Sequence, residues 1–140
     1  MNEKVLKTLE YHKILSQLSE YAFSDAAKKR CLSLRPITDR GQIELLQLQT
    51  RDALSRLFRC GSLSFSGVHD VTESLKRLAI GGTLSAPELL SICSLLEAAR
   101  RAKAFSRSEK EEVPEDSLTS FFTEIEPLTP LNDEIRRCII

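Results

Sequence analysis

The chain has 140 residues, with 20 basic and 20 acidic side chains and no net charge, so as a whole it is neither a strongly basic nucleic-acid binder nor an acidic disordered segment. Leucine is abundant, tryptophan is absent and valine is sparse, a balance that favours helices over strands. No apolar run approaches the roughly 18 residues of a membrane span, and the start, MNEKVLKTLEY, lacks the apolar stretch of a secretory signal, which predicts a cytoplasmic chain.

The length suits one domain with its own core. The first predicted helix covers about Leu9 to Ala22, with Leu9, Ile14, Leu15, Leu18 and Tyr21 on one face. Ser24 is placed to cap a second helix, with Asp25 just inside it, and Pro36 closes that helix near Leu34. Thr38 or Asp39 caps a third, reaching about Arg59. Its expected buried stripe is Ile43, Leu46, Thr50, Leu54, Leu57 and Phe58, widened by Leu45 and Leu48. Gly61 follows as a C-terminal stop.

Ser62 to Gly67 is a loop whose alternation, SLSFSGV, also admits a short strand. Asp70 then caps a short helix with Val71, Leu75 and Leu78 inward, closed by Gly81–Gly82. Ser85-Ala-Pro-Glu88 is a capping box, in which the Ser85 hydroxyl accepts from the Glu88 N–H and the Glu88 carboxylate reaches back to the Ser85 N–H. The fourth long helix runs to about Phe105, with Leu89, Ile92, Cys93, Leu96 and Ala99 as its core stripe. Residues 106–116 read as a polar linker that divides a main helical part, 1–105, from short helices in 117–140. Ser117 to Glu124 forms one of these. Pro127 and Pro130 break the chain, and a last turn starts near Asn132 or Asp133. It stops mid-pattern at Ile139–Ile140, which reads as a chain cut from a longer one.

Charge is uneven: residues 1–110 carry 18 basic and 12 acidic side chains, and residues 111–140 carry 2 and 8. Arg100, Arg101, Lys103 and Arg107 crowd one helix end. They are the candidate phosphate-contacting residues, although cations are also favoured at any helix C-terminus. No phosphate loop, zinc-protease, nucleophile-elbow or calcium-loop motif is present. Cys31, Cys60, Cys93 and Cys138 are far apart and read as reduced thiols, and with His12 and His69 they show no ligand spacing. His69-Asp70 is explained by capping. Glu111, Glu112, Glu115 and Asp116 read as a solvated acidic linker. The expectation is no catalytic, cofactor or metal residue in this chain.

Several segments resemble the N-terminal region of the second bacterial MutS family, the branch without mismatch-reading and connector domains. They are Leu6-Lys-Thr-Leu-Glu-Tyr-His-Lys-Ile14 with Leu18 and Tyr21-Ala22, Leu34-Arg-Pro36, Gly67-Val-His-Asp70 with Leu75-Lys-Arg77, and Ile80-Gly-Gly-Thr-Leu-Ser85 with Glu88-Leu-Leu90. Glu134-Ile-Arg-Arg-Cys138 is similar to the segment before that family's lever helix. Gly41, the polar Ser62–Ser66 and the ending Ile139–Ile140 depart from its pattern.

The resemblance implies an all-α, irregular multi-helix bundle, the N-terminal part of a MutS-like core and lever domain. It further implies a homodimeric parent that binds ATP and magnesium elsewhere, with DNA or the ribosome as partner and often a nuclease domain. The alternatives read from the residues are a free-standing helical adaptor using the leucine faces of the third helix, and a small nucleic-acid module using the basic helix end.

Overall fold

Among the described residues, 3–105 and 114–139 of the computed structural model, every regular element is a helix. The all-α expectation holds, and SLSFSGV forms no strand. The chain divides into two compact units, Met1–Thr38 and Asp39–Ile140.

The first unit contains α1 (Glu3–Thr8), α2 (Tyr11–Glu20) and α3 (Asp25–Leu32). The helix expected over about Leu9 to Ala22 is α2, which starts two residues later, at Tyr11, and ends at Glu20. Glu10 adopts a left-handed backbone at φ 54°, uncommon for a residue with a side chain. Its carbonyl accepts from the Lys13 N–H, and its carboxylate holds the Lys13 ammonium at 2.6 Å. Leu9, expected on the face of α2, lies before its start. Leu6 and Leu15 are buried, while Leu9, Ile14, Leu18 and Tyr21 stay exposed. α3 starts as expected, the Ser24 hydroxyl accepting from the Ala27 N–H at 3.1 Å. It ends at Leu32, where the Ser33 N–H bonds the Lys29 and Arg30 carbonyls.

The second unit contains α4 (Arg40–Cys60), α5 (Thr72–Ala79), α6 (Ala86–Phe105), α7 (Thr119–Thr123) and α8 (Thr129–Ile139). Asp39 is the α4 cap, its carboxylate accepting from the Gln42 N–H at 2.8 Å. α6 is the axis of this unit. Its Cys93, Leu96, Ala98 and Ala102 are buried, with α8 packed along it and α7 against it. α8 begins earlier than expected. Pro130 sits in its first turn, where N–H groups lack helical partners anyway, and so it does not break the chain. Asn132 on α8 is buried and donates to Glu97 of α6 at 2.8 Å.

The expected core stripe of α4 is overturned. Leu46, Leu54, Leu57 and Phe58 are exposed, Phe58 at 82%. Arg56, on the other side, is the buried residue of this helix at 2%. Gln49, Asp52, Ala53 and Cys60, at helical steps from Arg56, are half-buried. The polar side faces the rest of the unit because it finds charged and hydrogen-bonding partners there.

Candidate functional site

The helix boundary between α5 and α6 is the better organised of the segments that the sequence singles out. α5 ends in a Schellman motif: the Gly81 N–H bonds the Leu78 carbonyl and the Gly82 N–H bonds the Arg77 carbonyl, both at 2.9 Å. Gly81 supplies the left-handed turn at φ 82°. At Gly82 a Cβ would lie 2.9 Å from the Arg77 carbonyl oxygen, so this position is closed to a side chain.

Beyond the turn, the Glu88 carboxylate accepts from the Ser85 N–H at 2.8 Å, as a capping box requires. The Ser85 hydroxyl departs from expectation by donating to the same carboxylate at 2.8 Å. Ser74 and Arg77 of α5 also donate to Glu88. The Ser85 N–H and hydroxyl are the main reason the Glu88 carboxyl stays below its usual range, with the Arg77 charge adding to them. Glu88 therefore remains an anion that clasps two helices, a poor proton acceptor. Asp70 acts one residue before the assigned cap, Val71, by accepting from the Thr72 N–H at 3.0 Å.

A second cluster escaped the sequence reading. Arg56 of α4 forms a bidentate pair with Asp116, at 2.6 and 2.7 Å, and reaches the Thr119 hydroxyl at 3.0 Å. Its guanidinium carbon lies 5.0 Å from the centre of the Phe122 ring, a cation–π arrangement. One helical turn earlier, Asp52 accepts from the Ser117 N–H and hydroxyl at 3.1 and 2.6 Å. These contacts fasten the start of α7 to α4. Arg56 holds the Asp116 carboxyl below its usual range, assisted by the Leu118 N–H and Thr119. Asp116 thus is the part-buried partner of the buried Arg56, which corrects its reading as a solvated linker residue. Glu111 and Glu112 lie outside the described residues. The available signal was Asp52 and Arg56 at i and i+4, off the leucine stripe, with Asp116-Ser-Leu-Thr119 as a helix-start pattern.

The basic end of α6 is engaged with the protein itself. Arg100 donates to Glu97 at 2.7 Å, Arg101 to the Ser66 carbonyl, and Lys103 to Glu126 at 3.3 Å. Arg107 lies outside the described residues. Among the described residues no cluster of three or more His, Cys, Asp or Glu side chains is placed to hold a metal. Nor is any helix there long and apolar enough to cross a membrane.

No protein-family profile matches the chain. Curated relatives named Endonuclease MutS2 match it from end to end. The protein of Agathobacter rectalis is 58% identical over 140 residues, and that of Lachnoclostridium phytofermentans 48% over 145, each covering the whole chain. The protein of Halalkalibacterium halodurans is 37% identical over 139 residues and covers 98% of the chain. The chain spans about 18% of the length of these relatives and aligns with their N-terminal part.

Proposed function

We propose that this chain, similar over its whole length to the N-terminal part of the MutS2 endonucleases, is the N-terminal helical core and lever piece of such a protein. Its work is mechanical: it carries motion between parts of the longer molecule. The observation that carries this reading is the α5–α6 boundary, where Glu88 of α6 accepts from Ser74 and Arg77 of α5 and from Ser85, and Gly82 leaves no space for a side chain. A boundary braced in this way passes displacement of one helix on to the next.

The parent is then an ATP-dependent, DNA-binding endonuclease that suppresses homologous recombination, or an ATPase that splits collided ribosomes. In either case it works as a homodimer whose ATP and magnesium are held outside these residues. The test is made in the longer protein, with paired spectroscopic labels on either side of this region. Gly82→Ala, which forces the Arg77 carbonyl aside, should destabilise the boundary by about 1–3 kcal/mol and reduce the ATP-dependent change in label distance. An unchanged response, or ATP hydrolysis or DNA cutting by the 140-residue chain alone, would overturn the reading.

One observation favours the adaptor reading, namely the exposed apolar stripe of α4. Here α4 would bind a protein directly. A Leu54→Glu, Phe58→Glu variant of the longer protein that keeps its nucleotide response but loses a protein partner would select this reading.

A further inference from the structure

The first unit contains a groove of about 660 Å³ between its helices. Leu6 and Leu15, each 6% exposed, form its floor, and the more open Leu32 continues it. Lys7, His12 and Arg35 stand along it as exposed side chains. Lys4 also lines it, and Glu3 is the one acidic residue in the lining. Glu3 reaches Arg35 only at 3.9 Å. The imbalance extends to the whole unit, since residues 1–38 carry seven Lys or Arg against four Asp or Glu.

We propose that this groove docks an amphipathic helix of a protein partner, one whose apolar stripe is edged by Asp and Glu. The floor and the edges together select that occupant. Leu6 and Leu15 already close the bottom of the groove, and Leu32, 49% exposed, is the leucine that gains from burial against another apolar surface, at about 25 cal/mol per Å². An uncharged apolar helix would satisfy the floor but bury Lys7 and Arg35 with Glu3 as the one acidic residue of the lining beside them, which is costly. A nucleic-acid strand would satisfy the cations and leave the leucines facing phosphate and sugar. A helix with leucines at three- and four-residue steps and carboxylates beside them satisfies both at once. The groove and its charge lie wholly within residues 3–35, so this inference does not depend on the mechanical role proposed above.

The test uses the 140-residue chain and three synthetic helical peptides. The first has leucines at i, i+3, i+4 and i+7 flanked by Glu, the second replaces every Glu with Lys, and the third scrambles the first. Backbone hydrogen exchange reports both binding and its location. The acidic peptide should protect α1 and α2, and the scrambled peptide should not. A Lys7→Glu, Arg35→Glu variant alters exposed residues only, and circular dichroism checks that its helix content is kept. It should bind the acidic peptide about tenfold more weakly, equivalent to about 1.4 kcal/mol, and should now prefer the Lys peptide. Leu32→Glu should weaken binding of both. Equal binding of the Glu and Lys peptides, or protection mapped to the second unit, would refute the proposal. So would concentration-dependent protection without peptide, which would mark a second copy as the occupant. Protection by a single-stranded oligonucleotide that the acidic peptide fails to displace would also refute it.

Discussion

Arg56 is a long cation held almost wholly out of water, and its cost of burial is offset by the two hydrogen bonds it donates to Asp116 and by the face of Phe122. Arg56→Met should therefore destabilise the second unit, by up to about 3 kcal/mol, because Asp116 would remain as a part-buried carboxylate held only by the Leu118 N–H and Thr119. In an Asp116→Asn background the same change should cost much less, and urea titrations of the four proteins measure the coupling.

Asp116 also makes stability depend on pH. Its folded carboxyl titrates below the ordinary value of 3.8, principally through Arg56. A depressed carboxylate stabilises the fold fully above the unfolded value, and that stabilisation is lost as pH falls through the folded one. Glu97, hydrogen-bonded to Asn132, shifts in the same direction. The urea midpoint should thus decline as pH drops below about 5. The decline should be shallower in Asp116→Asn, and parallel curves for the two proteins would remove Asp116 as its source.

Helix α4 shows where a sequence pattern stops informing. Its ends were legible, because Asp39 and Gly61 act through local backbone chemistry that any helix end requires. Ser24, Gly81–Gly82 and the Glu88 half of the capping box were legible for the same reason. The buried side of α4 was not, because apolar periodicity names a face that seeks cover without saying whether cover is present. Here the charged side found Asp116, Ser117 and Thr119, which come from about 60 residues further along the chain. The left-handed Glu10 before α2 was likewise hidden, since no glycine or proline marks it. Of the two organised clusters, the α5–α6 boundary was therefore readable and the α4–α7 fastening was not. The exposed stripe has a direct test. Leu54→Glu with Phe58→Glu should change the stability of the 140-residue chain by no more than about 0.5 kcal/mol per site, as surface substitutions do. Losses of about 2–5 kcal/mol, the cost of emptying a core site, would restore these residues to a core. Urea unfolding distinguishes the outcomes.

The two units differ in what they can sustain alone. Among the described residues of the first unit, only Leu6 and Leu15 are buried large apolar side chains. Chains below about 40 residues seldom fold without a metal, disulfide or partner. The three helices here have 6, 10 and 8 residues, shorter than the roughly 12–15 needed for marginal helicity in isolation. Residues 39–140 have helices of 21 and 20 residues, a core along α6 and the Arg56–Asp116 pair fixing a long-range contact. A peptide of residues 1–38 should accordingly show little helical circular dichroism in water. A chain of residues 39–140 should keep its helical signal and unfold in one cooperative urea transition. If the short peptide melted cooperatively, its two buried leucines would be contributing far more than their area allows. If the long chain lost its transition, the contacts within the second unit would be insufficient to hold it.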